Sequence, residues 1–260
     1  MDKKQYVGID IGGSFIKAGL VIGDQILHKV RVPTPKGNAQ ALFEVLFTII
    51  DNIKKETPEK IDGIGIGVAG LVINHRELLY AVNLGLENVD IADVIEHKYK
   101  IPVRIGNDVA MFALAEQRHS KIDNLVYIAI GTGVNAGVIN NGKLFSGANG
   151  ISLEYGHTHI TPEHTVGHFI SGKALERTNR DIPQMIFYLK LVLVNIINTY
   201  RPEVIFIGGG VAEEVEPYID EINANIKSKN YGYKNAPPVT VTLSRLSADG
   251  AILGAASLFA

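Results

Sequence analysis

Apolar and polar positions along this chain switch between two periods, and each switch marks an element. Tyr6–Ile11, Phe15–Ile22 and Gln25–Val32 are apolar or alternating over strand lengths, with Gly23-Asp24 as the hairpin turn between the last two. Pro33-Thr-Pro35 ends them, because proline donates no ladder hydrogen bond. From Asn38 to about Lys55, Leu42, Val45, Leu46, Ile49, Ile50 and Ile53 return at helical spacing. Ile61–Val68 reads as a buried strand, Ile91–Tyr99 as a helix, Val103–Ile105 as a strand and Asp108–Arg118 as a helix. The second half repeats the order. Leu125–Ile130, Val134–Asn140 and Lys143–Phe145 are strands, with Asn141-Gly142 as a hairpin turn. A glycine- and histidine-rich stretch follows, Gly147 to Gly172. Then come a helix at Gln184–Thr199, a strand at Val204–Ile207, a helix at Glu213–Lys227, a strand at Val239–Leu243 and a helix at Gly250–Leu258. The expectation is an α/β fold of two similar halves, divided near Ile105–Asp108.

The repeat extends to chemistry. Asp10-Ile-Gly-Gly-Ser14 and Gly131-Thr-Gly133 are both turns between two apolar strands, and aligning them sets Gly19 opposite Gly137. Glycine lets backbone N–H groups approach phosphate oxygens with no Cβ in the way, so a pair of such turns points to nucleotide chemistry. Both lead into strands, unlike the helix-opening phosphate loop. Gly65-Ile-Gly-Val-Ala-Gly70 lies within a strand and its exit, and reads as close backbone packing.

Composition narrows the setting. The 260 residues carry a net charge of −2 with both signs dispersed, so no broad nucleic-acid or anionic-membrane surface is implied. Cysteine is absent, which removes disulfides and thiolate metal sites. No signal-peptide pattern precedes Tyr6, and no apolar stretch is expected to span a membrane. A cytoplasmic location is the expectation.

Several side chains carry candidate chemistry. Asp10, inside an apolar run, reads either as an organiser of magnesium near phosphate or as a cap for the Gly12-Gly13 turn. Asp108 follows a strand and opens a helix, which suits an N-cap and equally a general base at a strand's carboxyl end. Glu154 and His157 flank Gly156 and read either as ligands for vicinal hydroxyls or as solvated loop residues. Gly208-Gly209-Gly210 is a plain loop or a bare surface for adenosine. His157, His159, His164 and His168 lack a regular metal-ligand spacing.

In order and spacing, these stretches resemble the ROK family of bacterial sugar kinases and repressors, within the actin-like ATPase superfamily. The stretches are Asp10–Gly19, Gly65–Leu71, Asn83-Leu84, Gly106-Asn-Asp108, Gly131-Thr-Gly133, Gly150–His157, Ile205–Val211 and Gly254-Ala-Ala256. The resemblance implies two actin-like (ribonuclease H-like) domains around a central cleft. These would be 1–107 and 108–260, with the terminal helix returning to the first. It implies ATP-dependent phosphorylation of a hexose or hexose derivative at its primary 6-hydroxyl, with Asp108 as base. Asn83, Asn107, Asp108, Glu154 and His157 would bind the sugar. Gly12, Gly13, Ser14, Gly131, Thr132 and Gly133 would contact ATP phosphates, Gly208–Gly210 would border adenosine, and Asp10 would position Mg2+. A homodimer is implied, with no nucleic-acid or membrane partner. The family's cysteine-rich zinc motif after the Glu-x-Gly-His element has no counterpart, so no structural zinc is expected. That departure keeps open a weakly catalytic sugar sensor, or a kinase using polyphosphate.

Overall fold

The structure is a computed structural model that describes residues 4–57, 59–228, 237–247 and 249–259. In chain order the first half runs β1 (Gln5–Ile11), β2 (Phe15–Ile22), β3 (Gln25–Pro33), α1 (Ala39–Glu56), β4 (Gly63–Val68), β5 (Leu71–Ile73), β6 (Glu77–Ala81), β7 (Leu86–Asp90), α2 (Ile91–Tyr99), β8 (Val103–Asn107) and α3 (Asp108–Ser120). The second runs β9 (Leu125–Ile130), β10 (Val134–Asn140), β11 (Lys143–Leu144), α4 (Val166–Phe169), α5 (Gly172–Arg177), α6 (Ile182–Tyr200), β12 (Val204–Gly208), α7 (Ala212–Val215), α8 (Ile219–Ser228), β13 (Thr240–Leu243) and α9 (Gly250–Ala256).

Contacts divide the chain into two compact units. One comprises Met1–His119, Ser146–Ser152 and Leu246–Ala260, and the other Ser120–Phe145 and Leu153–Arg245. The division after His119 replaces the expected one after Asn107, because α3 packs on the sheet it leaves: Met111 lies against Gly67 and Gly106.

In the first unit a five-stranded sheet has the order β3-β2-β1-β4-β8. β1, β2 and β3 form antiparallel hairpins, while β4 and β8 join in parallel. One face is covered by α1, capped by the Asn38 side chain, whose Leu42, Leu46, Ile49, Ile50 and Ile53 are buried. Helix α9 covers the other face closely. A Cβ on Gly65 would lie 1.8 Å from the Ala255 carbonyl oxygen, and one on Gly8 would lie 2.2 Å from that of Ile252. The glycines within β1 and β4 are therefore what admit the terminal helix. A three-stranded sheet, β5-β6-β7, was not anticipated; its strands are too short for a pattern, and left-handed Asn74 and His75 turn the chain between two of them.

The second unit repeats the order as β11-β10-β9-β12-β13. The predicted helix over 213–227 is broken into α7, a 3-10 turn and α8, because Pro217 has no N–H to continue it. Helix α6 corrects a second expectation. Its 19 residues are long and apolar enough to cross a membrane by length and composition. Met185, Ile186, Leu189, Val192, Leu193, Ile196 and Ile197 bury one side of it in the unit's core, and Lys190 pairs with Glu221 of α8, so it serves as a core helix.

Candidate active site

In the first unit the candidate groups gather at the carboxyl ends of the parallel strands. Register places Asp10, Gly67 and Gly106 in one row across β1, β4 and β8. Gly67 presents no side chain on that face, and a Cβ there would meet Met111 at 2.7 Å and the Asp108 backbone at 3.8 Å. Asp10 therefore shares a side-chain-free row of the sheet, covered at Gly67 and Gly106 by Met111, with the start of α3, two strands away, about 10 Å in the hydrogen-bonding direction.

Burial sets the electrostatics here. Asp10 is 8% exposed, and its carboxyl is pushed up to about 6 by burial, with a further rise from the charge of Asp108. Lys17, its partner across the β1–β2 hairpin, opposes the shift from 3.8 Å but does not cancel it. The Asp108 carboxyl is also raised by burial, against the N–H groups of Val109 and Asp108 itself, which favour the anion. A raised carboxyl at a strand end is suited to accepting a proton.

The Asp10 shift has a testable sign. The unfolded carboxyl titrates near 3.8 and the folded one near 6, so the folded state holds the proton more tightly. The stabilising contribution is complete below 3.8 and is lost as pH rises to about 6. Asp10→Asn, fixed in the neutral form, should be the more stable protein above that window, by up to ~3 kcal/mol. The gain should vanish below it. Melting curves on both sides of the window check this; an asparagine variant less stable at neutral pH would make Asp10 an anionic anchor instead.

Asn107 is buried, and both ends of its amide are used within the fold. Its Nδ2 donates to the Gly70 carbonyl at 3.1 Å, and its Oδ1 accepts from the Val109 N–H at 2.9 Å. The Asp108 Oδ1 accepts from the same N–H at 3.0 Å. Asn107 thus holds the turn that presents Asp108. Asn83 is exposed and lies against the first glycine turn, its Cβ 3.3 Å from where a Gly13 Cβ would be.

The two glycine turns share a hydrogen-bonding scheme that sequence reasoning missed. In the first, Thr34 occupies both carbonyls: its Oγ1 donates to Gly12 O at 2.8 Å and its N–H to Ser14 O at 3.0 Å. In the second, the Gly172 and Lys173 N–H groups occupy the carbonyls of Gly131 (2.6 Å) and Thr132 (3.4 Å). The amides of Gly13, Ser14, Thr132 and Gly133 find no acceptor among the described residues. Consecutive unpaired N–H groups make an anion-binding concavity. The signal for Thr34 was its place directly after β3, pairing with β2 beside the turn.

In the second unit Gly131-Thr132-Gly133 lies beside the triple glycine. A Gly209 Cβ would be 2.5 Å from the Ile130 carbonyl oxygen, which accepts from the Val211 N–H at 2.9 Å. Gly156 approaches the start of β10 closely, its Cβ position 2.1 Å from the Val134 carbonyl oxygen. This sets Glu154 and His157 near the second turn. Their side chains are 43% and 80% exposed, with Oε2 and Nε2 4.0 Å apart. The His164 and His168 rings meet at a 42° tilt, 3.9 Å between centres, and both contact Phe169, itself stacked on Tyr188 at 3.7 Å. Among the described residues no three His, Asp or Glu side chains gather as metal ligands.

The ROK family profile matches residues 6–181 and 170–260. The chain belongs to the ROK family. This ROK chain is 28% identical to a glucokinase of Halalkalibacterium halodurans, over 88% of its own length and 87% of that protein's. It is 26% identical to the xylose repressor of Bacillus subtilis, over 86% of its length and 69% of the repressor's. A ROK family glucokinase from Streptomyces griseus, solved with glucose and AMPPNP, superposes with a TM-score of 0.80 at 23% identity, covering 98% of each chain. The fold is accordingly α/β, with two actin-like domains.

Proposed function

We propose that this ROK protein phosphorylates a hexose or hexose derivative at its primary 6-hydroxyl, with ATP as donor. The observation that carries the reading is the Asp108 carboxyl, raised by burial and fixed at the head of α3 by the Asn107–Val109 hydrogen bond. It takes the hydroxyl proton as the sugar oxygen bonds to the γ-phosphorus and ADP leaves. Phosphoryl transfer depends mainly on alignment and charge stabilisation. The unpaired amides of Gly13, Ser14, Thr132 and Gly133 suit phosphate oxygens. Gly12 and Gly131 shape those turns, and Gly208–Gly210 is assigned to adenosine.

Asp10 fits a magnesium role on its own chemistry: a buried carboxylate that Lys17 alone leaves raised gains from a second cation. Bound there, the metal supplies charge neutralisation on the transferred phosphate. Asn83, Asn107, Glu154 and His157 are assigned to ring hydroxyls, Asn107 through the Nδ2 hydrogen that Gly70 does not take, while its Oδ1 holds the start of α3.

A second reading, a sugar-responsive protein with weak turnover, is favoured by the openness of the Glu154–His157 pair and by the likeness to a repressor. A coupled ADP-release screen over glucose, fructose, mannose, allose and N-acetylated hexosamines, paired with calorimetric binding of each sugar, separates the two. Turnover with at least one hexose is the expected result. Sugar binding without turnover would establish the second reading.

A further inference from the structure

The edge strand β3 carries a cation that the proposed reaction has not used. Register sets Asp10, Lys17 and Arg31 in one row across β1, β2 and β3, so the three side chains share a sheet face. Arg31 does not extend straight out of that row. Its guanidinium carbon lies 3.7 Å from the centre of the Phe15 ring. Phe15 pairs with Pro33, two residues nearer the glycine turn, so the stacking draws the guanidinium toward Ser14.

The ring covers one side of the guanidinium, and the residue is otherwise exposed. A guanidinium seated flat on a ring keeps its N–H donors pointing outward. Arg76, Arg104, Arg118, Arg177 and Arg180 each donate to a carboxylate or carbonyl. Among the described residues Arg31 meets no such acceptor, only the ring. Phe15 is itself 39% exposed beside the turn, so the ring and the guanidinium on it are both open to a ligand. Thr34, directly after β3, thus occupies the turn's carbonyls, and three residues before it stands a donor that among the described residues meets only the Phe15 ring.

We propose that Arg31, held on Phe15, is a phosphate contact for an oligophosphate chain lying along the first glycine turn, beyond the Gly13 and Ser14 amides. Planar N–H pairs match phosphate oxygens, and the contact reads phosphate rather than base or sugar. The ligand class is a chain of phosphates, from either a nucleoside triphosphate or inorganic polyphosphate. The inference rests on the kinase reading for the turn's role as donor site.

Calorimetric titration of the full chain with inorganic tripolyphosphate and, separately, with Mg-ATP tests it without requiring turnover. Arg31→Ala should weaken tripolyphosphate binding about tenfold, the loss of one charge-assisted contact. Arg31→Lys, which keeps the charge without the plane, should recover part of it, and Phe15→Leu should resemble Arg31→Ala. Melting temperatures should be unchanged throughout, since Arg31 is exposed on an edge strand. Equal losses with both ligands support the proposal for either source, a loss confined to tripolyphosphate assigns the contact to inorganic polyphosphate, and a loss confined to Mg-ATP assigns it to the nucleoside triphosphate. No loss with either ligand, or no binding of either by the parent protein, would overturn it. Arg31-dependent binding in a protein that phosphorylates no sugar would leave this inference standing and remove the kinase reading.

Discussion

Asp108→Asn is expected to lower kcat for sugar phosphorylation roughly 10²–10⁴-fold, the usual contribution of a positioned general base. The substitution is close to isosteric, and the new amide oxygen can still accept from the Val109 N–H that Asp108 accepts from now. The helix start should therefore survive. Stability supports the same expectation: burial holds the Asp108 carboxyl above its ordinary value, so its ionised form is a liability to the fold at neutral pH. The asparagine variant should melt at or above the parent's temperature there, with the difference fading as pH falls. The sugar KM should change far less than kcat, because the proton is transferred only as the reaction proceeds. Near-normal turnover in a folded variant would remove Asp108 from the chemistry.

Gly65→Ala should do the largest damage to the fold. Its new Cβ would stand 1.8 Å from the Ala255 carbonyl oxygen, and backbone lies on both sides of the clash. Overpacking that side chains can absorb costs about 1–3 kcal/mol, and here α9 would have to lift from β1 and β4. A loss of at least about 3 kcal/mol is expected, read from the urea midpoint. Gly133→Ala is the internal comparison, since a Cβ there meets nothing within 4 Å and should leave the midpoint unchanged. Equal midpoints for both variants would mean that α9 does not pack as described.

The contrast between these glycines shows what the sequence could carry. Gly65 and Gly133 look alike in a string of residues, and only the elements packed opposite distinguish them. Local signals were legible: the helical period that begins at Asn38, and Gly23-Asp24 and Asn141-Gly142 closing hairpins, act over a few residues, and their recurrence exposed the duplicated strand order. Asp10 and Asp108 stood out because a carboxylate in an apolar run or at a strand end is chemically conspicuous. What escaped were features made by register. Asp10 meets Lys17 through hairpin pairing, Thr34 closes the first turn from the far end of β3, and Asn107 donates to the Gly70 carbonyl. The same holds for the unit boundary, which depends on α3 returning to the sheet it follows, and for the short sheet β5-β6-β7, whose strands are too brief to show a period.

The most direct test of the central claim is to identify the product. The purified protein would be incubated with Mg-ATP and each hexose that binds, and the mixture followed by phosphorus NMR, with the matching 6-deoxyhexose as control. The account predicts ADP and a phosphomonoester on the 6-carbon in equal amounts, and none from the 6-deoxy sugar. A hexose that binds without yielding any phosphomonoester, or a product phosphorylated at another carbon and formed equally from the 6-deoxy sugar, would contradict it.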